Sequence, residues 1–324
     1  MKTVSVIGAG QLGSRHLQAL ALSDIEILIE VVEPFDQARD VAKQRFEEMP
    51  ENDNIKGISF FSSILDLSNE LDLVVVATNS DVRSDVVTDL LNSKKVDNLI
   101  LEKVLFQKEE EYLNMDKLLT KTKTKCWVNH PRRIFPFYQS LKDKLSGSKQ
   151  INFSVSGGNW GLGCNGLHFL DVFEFLSSNN NTVIDNSNLE KEIVETKRKG
   201  FVEFNGMLTG SIGVNTFSIN CFKEQFPISF SITSDKLNIT IDESKGWYSI
   251  VEKSAEWDRI VNNEKIIYFQ SELTHSLLKD IFSKNDCGLA TYGEAMHLHL
   301  KFLQSLIDHM NSFSKTQYDH CPIT

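Results

Sequence analysis

The chain of 324 residues has no long hydrophobic run: nothing in it approaches the roughly 18–20 consecutive apolar residues that cross a bilayer. It is also short of positive charge, with 34 Lys and Arg against 44 Asp and Glu and a formal net charge of −10. That balance disfavours duplex nucleic acid, whose binding needs a basic face to displace counterions, and it disfavours an anionic membrane surface. Cysteine is scarce and scattered. Cys126, Cys164, Cys221, Cys287 and Cys321 form no CxxC and no Cys/His ligand spacing. An odd, dispersed set suits reduced thiols better than a disulfide framework or a zinc cluster, so no metal is expected. No leader of basic, apolar and small residues opens the sequence, and a cytoplasmic protein is the expectation. Low complexity is confined to the short run Asn179–Asn181.

What is present is ordinary globular material, 41% hydrophobic and 24% charged, in a length that suits two domains. Lys2–Val6, Ile25–Val32, Gly57–Phe61, Leu71–Ala77, Val96–Glu102 and Lys125–Asn129 read as strands. Helical patterns separate several of them: after Gly13, at Asp36–Phe46, from Ser80 onward, and at Glu109–Leu119. Alternation at that pace predicts a parallel sheet covered on both faces, and the first domain is drawn at 1–125. From 126 to 324 the pattern changes. Ile151–Ser156, Ile193–Phe204, Leu208–Ser218, Ile228–Thr233, Leu237–Ile241 and Gly246–Val251 alternate as half-buried strands do. Two helices, Leu167–Leu176 and Tyr292–Met310, interrupt them.

The most informative motif is Gly8-Ala9-Gly10-Gln11-Leu12-Gly13, which ends the first strand and opens the first helix. Gly8 permits the tight turn, Gly10 lets backbone approach a pyrophosphate, and Gly13 lets the helix pack close to the strand. The N–H groups of Gly10, Gln11 and Leu12 would then face the phosphates. Glu33 follows at the end of the second strand. A carboxylate there accepts hydrogen bonds from ribose hydroxyls and repels a 2′-phosphate, which predicts NAD rather than NADP. The expected fold class is therefore α/β: an N-terminal Rossmann parallel sheet plus a C-terminal α+β domain with a large, mostly antiparallel open sheet. Helices on one face of that second sheet leave the other to bury, and a homodimer or homotetramer through it would do so.

With His16 added, the glycine loop resembles the opening of the Gfo/Idh/MocA oxidoreductase family, which includes glucose-fructose oxidoreductase and inositol dehydrogenase. Val74-Val-Val-Ala-Thr-Asn-Ser80 resembles the family's exit from its fourth strand, with Asn79 and Arg83 in place of the usual Pro and His. Leu101-Glu-Lys103 resembles the EKP signature, with Val104 in place of Pro. Val128-Asn-His-Pro-Arg-Arg133 resembles the lead into the second domain, and Gly163-Cys-Asn-Gly-Leu-His168-Phe-Leu-Asp171 resembles DxGxHxxD.

The resemblance implies an NAD-dependent oxidoreductase acting at a secondary alcohol or ketone of a small sugar-type substrate. Lys103 and His168 would handle the proton, Asp171 and Asn129 would contact substrate, and Thr78, Asn79, Glu102 and Lys103 would add to the cofactor contacts. Taken alone, Lys103 also reads as a solvated lysine at a strand end, and His168 as a satisfied core group. Arg132 and Arg133 suit a substrate phosphate or carboxylate, or solvent. Trp160 suits a sugar or nicotinamide ring, or the core. One departure stands out: Cys164, with Asn165 beside it, occupies the position of the signature's Asp and carries no negative charge. A non-catalytic NAD-binding regulator or scaffold of the same fold is thus the rival reading, and an imine or tetrapyrrole reductase a further one.

Overall fold

A computed structural model describes residues Met1–Thr324. The chain begins β1 (Lys2–Ile7), α1 (Gly13–Leu20), β2 (Ile27–Val32), α2 (Asp36–Glu47), β3 (Ile55–Phe61), β4 (Glu70–Leu71), β5 (Leu73–Val76), α3 (Ser80–Ser93), β6 (Lys95–Val96), β7 (Asn98–Leu101), α4 (Glu109–Thr122) and β8 (Lys125–Val128). It continues α5 (Pro136–Leu145), β9 (Ile151–Gly158), α6 (Leu162–Ser177), β10 (Val183–Leu189), β11 (Val194–Glu195), β12 (Val202–Glu203), β13 (Gly206–Ile212), β14 (Asn215–Phe222) and β15 (Phe226–Ser234). Then come β16 (Leu237–Asp242), β17 (Trp247–Glu252), β18 (Arg259–Asn263), α7 (Thr274–Lys284), β19 (Ala290–Thr291) and α8 (Tyr292–Phe313). Two units result. The first is Met1–Phe106, Glu110–Asn129 and Tyr268–Gly293, and the second is Gln107–Glu109, His130–Ile267 and Glu294–Thr324.

The first unit is a seven-stranded sheet in the order β19-β8-β7-β5-β1-β2-β3, parallel except where β19 meets β8. β5 shows why the sheet is sealed on both sides. Its four aliphatic residues in succession, Leu73 to Val76, are all fully buried, as a central parallel strand requires. The unit reaches Asn129 rather than 125 and recovers Tyr268–Gly293, which the sequence pattern assigned to the second domain. The reason is local packing. α7 buries Leu277, Leu278 and Ile281, Thr274 meets His16 at 2.8 Å, Lys279 pairs with Asp24, and β19 extends the sheet alongside β8.

The second unit is an eight-stranded sheet, β10-β13-β14-β9-β15-β16-β17-β18, antiparallel except for β14 on β9. Phe153, Val155, Phe217, Ile219, Phe230 and Ile232 turn to the inner face and are buried. Phe173 of α6 meets Phe153 and Phe217 there, at ring separations of 5.5 and 5.4 Å. The opposite face is hydroxylic. Thr209, Ser218, Ser154, Ser231, Thr240 and Ser249 lie side by side across successive strands β13, β14, β9, β15, β16 and β17.

Some elements differ from the sequence pattern. The expected strand Ile193–Phe204 is the small hairpin β11–β12, and Leu208–Ser218 is split into β13 and β14 around Gly213 at φ +59°. There a left-handed turn residue interrupts a run whose alternation continues on either side. α5, β10 and β18 occupy stretches to which no element was assigned. α5 opens on Pro136, a residue that suits a first helical position, and β18 is an exposed edge strand without apolar alternation. No helix is long and apolar enough to cross a membrane.

Candidate functional site

In the first unit β1 runs into Gly8, whose φ of +83° makes the turn that other residues rarely adopt. A Cβ on Gly13 would fall 1.8 Å from the Gly8 carbonyl oxygen, so α1 can begin there only with glycine. A Cβ on Gly10 would meet nothing within 4 Å. Gly10 therefore borders open space at the start of α1, where backbone N–H groups and the helix dipole favour an anion. Gly8, Gly10, Glu33, Phe35, Thr78 and Asn79 help to line a cleft of about 1010 Å³. Glu33 is 5% exposed and accepts the N–H of Phe35 at 3.2 Å. Arg39 is held by the Glu33 carbonyl and by Asp36. Gln11 and Leu12 are exposed on the loop, and Gln11 accepts from Arg45 at 2.8 Å.

The ends of β7 and β8 carry a buried network. Glu102 Oε1 accepts from His16 Nε2 at 2.8 Å and from Asn129 Nδ2 at 2.5 Å. Burial opposes the charge on Glu102, but the hydrogen bond and charge of His16, with Asn129 behind them, hold its carboxyl below the usual range. Asn129 Nδ2 also reaches Gln270 at 2.8 Å. Arg83, fully buried, donates to the carbonyls of Thr78, Glu102, Val104 and Leu105. It thus grips the backbone on both sides of the half-buried Lys103. Burial pushes the Arg83 guanidinium down to about 10, opposed by the charge of Glu102. Two buried acceptors at strand ends, Thr78 Oγ1 and Asn129 Oδ1, have no hydrogen-bond partner. A dinucleotide fits these residues: space at Gly10 for phosphate, a carboxylate at Glu33 for ribose, and acceptors for hydroxyl or amide donors.

In the second unit α6 carries His168 and Asp171. Asp171, 1% exposed, takes Arg133 Nε on both oxygens at 2.9 Å. Burial pushes the Asp171 carboxyl up, and Arg133 opposes the rise. Arg132 forms a two-point pair with Glu243 at 2.7 and 2.6 Å, and its guanidinium lies 4.9 Å above the Phe169 ring. Both arginines that sequence offered to a substrate anion therefore have carboxylates within their own unit. The His168 ring stands edge-on to His130 at 5.7 Å, and His130 Nε2 shares a hydrogen bond of 2.9 Å with His299 Nε2. Trp160 gives its indole N–H to the Asn220 carbonyl and packs edge-on against Phe169. Asn165 bonds the Trp160 carbonyl, and the N–H of Cys164 goes to Glu203. Gln270, Thr274 and Glu203 escaped the sequence reading. They lie far along the chain from their partners, in segments with no motif to mark them.

Residues 2–130 match the Gfo/Idh/MocA family model, an oxidoreductase family with an NAD-binding Rossmann fold. No curated protein sequence matches the chain. Among solved structures, the chain is similar to a super-repressor mutant of Gal80p from Saccharomyces cerevisiae. The identity is 14% and the TM-score 0.75, over 97% of this chain and 96% of that one. An oxidoreductase from Agrobacterium radiobacter, in complex with NAD+, L-tartaric acid and magnesium, has 13% identity and a TM-score of 0.69 over 93% and 94%. UDP-N-acetylglucosamine 3-dehydrogenase GnnA from Acidithiobacillus ferrooxidans has 14% identity and a TM-score of 0.66 over 94% and 96%. At such identities the likeness establishes the fold.

The glycine geometry separates folding from binding. Gly10→Val should fold, because its side chain enters open space, yet it should abolish dinucleotide binding by filling the phosphate position. Calorimetric titration together with circular dichroism checks both halves. Undiminished affinity in the folded variant would overturn the assignment.

Proposed function

We propose, from the match of residues 2–130 to the Gfo/Idh/MocA oxidoreductase family model, that this chain is an NAD-dependent oxidoreductase acting at a secondary alcohol or ketone of a sugar, inositol or nucleotide-linked sugar. The observation that carries the proposal is the company Lys103 keeps. It follows β7 in the same parallel sheet whose β1 and β2 ends bear the open Gly10 and the buried Glu33. Ligands of open α/β sheets bind outside the carboxyl ends of the strands.

A bound nicotinamide would supply the hydride chemistry. Backbone at Gly10 to Leu12 would hold its phosphates, Glu33 its adenosine ribose, and Thr78 and Asn129 further polar groups. Lys103 would take the hydroxyl proton during oxidation and return one during reduction. His168 would handle a proton or orient the substrate. Asp171, engaged by Arg133, is better suited to holding α6 than to binding a hydroxyl. A non-catalytic NAD-binding regulator is the second reading, favoured by the mutual pairing of Arg133 with Asp171 and of Arg132 with Glu243. The outer sheet face, with its Thr and Ser side chains across successive strands, is the surface through which a homo-oligomer would form.

Three measurements bear on this reading. Glu33→Ser should relax discrimination against NADPH, because it removes the charge opposing a 2′-phosphate; parent protein that binds NADPH as tightly as NADH would refute the cofactor choice. With an active sugar-type substrate found by panel screening, Lys103→Met should lower kcat by about 10²–10⁴ with dinucleotide affinity nearly intact. An unchanged rate would remove the lysine from the mechanism, and a panel without turnover despite bound NAD would favour the regulator. Sedimentation at micromolar concentration should show dimers or tetramers, and monomer alone would exclude the sheet interface.

A further inference from the structure

The start of α6 is built around a side chain from another element. Glu203, at the end of β12, accepts the N–H of Gly163 on Oε2 at 2.6 Å and that of Cys164 on Oε1 at 3.0 Å. Two glycines admit it. A Cβ on Gly161 would lie 2.9 Å from Oε1, and one on Gly163 would lie 3.0 Å from Oε2. Gly161 also sits at φ +76°, in the left-handed region that favours glycine. β12 is fixed from the chain's end, where Val202 N donates to the Pro322 carbonyl at 2.9 Å. The charge is felt nearby: burial first, then Glu203, pushes up the Cys321 thiol, and Glu203 also adds to the burial-driven rise at Cys221.

The first turn of α6 has no acidic residue of its own. Position 164 is a thiol, and His168 follows four residues on, along the same helical face. Farther along, Asp171 is balanced by Arg133, and Glu174, bonded to Thr182, is pushed up to about 7 by burial. On the reading that His168 handles a proton, we propose that Glu203 is its positioning residue. It supplies from β12 the negative charge that α6 lacks at position 164, fixes the turn from which His168 projects, and stabilises the imidazolium while the proton is held. Cys164 is thus no lost acid: the acid reaches the same helix end from a different strand.

The test moves the charge rather than merely deleting it, comparing Glu203→Gln, Glu203→Asp, Cys164→Asp and the double variant Cys164→Asp/Glu203→Gln in the full chain. Iodoacetamide labelling of Cys164, followed by mass spectrometry, reports the local field without needing a substrate, because the other four cysteines are buried. Removing a carboxylate beside a helix-start thiol removes local negative charge, so Glu203→Gln should label roughly threefold to tenfold faster. Glu203→Asp should return toward the parent rate. Cys164→Asp alone sets two carboxylates against each other, and should lower Tm without raising turnover. The double variant should recover Tm and the turnover lost in Glu203→Gln. Unchanged labelling in a folded Glu203→Gln protein overturns the proposal, as does a Cys164→Asp protein that gains turnover with Glu203 in place. Should Glu203→Gln fail to fold, a folded double variant supports the proposal and an unfolded one overturns it. Labelling and melting as expected, in a protein that turns over no substrate, would uphold the charge placement and reject the enzymatic reading instead.

Discussion

The bare Cα of Gly13 against the Gly8 carbonyl is the contact on which the first unit depends. Any side chain there would collide with that oxygen, and α1 would start farther from β1. With α1 pressed close, the N–H end of the helix faces the cleft, and one turn later His16 is buried where it reaches Glu102. Glu102 in turn takes Asn129, and the other nitrogen of His16 meets Thr274. A single glycine thus allows the ends of β7 and β8 to be joined to a segment that returns more than 250 residues later. The carboxylate at the centre of this network is buried and takes His16 and Asn129 on one oxygen. Removing one partner of such a group typically costs about 3–5 kcal/mol, so the network also holds Tyr268–Gly293 in the first unit.

The second unit solves a different problem, because its sheet has only one face with an aromatic core. Phe153, Phe173, Phe217 and Phe230 supply that core through edge and tilted contacts, each worth about 0.5–1.5 kcal/mol beyond area burial. Polar side chains that come near it are neutralised in pairs. Arg133 meets Asp171 from α6, and Arg132 meets Glu243 from beyond β16. α6 is fixed at its start by Glu203, in its middle by Arg133, and by the approach of Phe302, which stands 3.0 Å from where a Cβ on Gly166 would lie. A helix held at three points presents its half-buried Cys164, Asn165 and His168 in one orientation, which a binding or catalytic group needs.

Much of this was legible from the amino acids. Periodicity located the parallel strands, because a strand buried on both faces is continuously aliphatic, and the glycine loop located the cleft, because its spacing follows from backbone sterics. What escaped were facts about partners. Nothing local to Arg132 says that Glu243 is opposite it, and nothing local to Cys164 says that Glu203 caps its helix. The hairpins around Gly200 and Gly213 were hidden for another reason: alternation persists through a tight turn, so period alone reads two strands as one. α7 was missed because it is secured by His16 and Asp24 rather than by a motif of its own.

The groups that the sequence offered for binding are used differently in the two units. In the second unit the charged side chains that sequence offered as substrate contacts, Arg132, Arg133 and Asp171, are consumed by one another or by Glu243. In the first, Thr78 Oγ1 and Asn129 Oδ1 are buried acceptors without partners. Each such atom costs on the order of 1–3 kcal/mol, a cost a fold retains where a ligand offsets it. Both lie just past the carboxyl ends of parallel strands, in the unit that also holds the Gly10 space and Glu33. The features a dinucleotide would use therefore lie in the backbone and strand ends of the first unit. In the second unit the charges are spent on holding α6, and the carboxylate that β12 lends to its first turn is part of that arrangement.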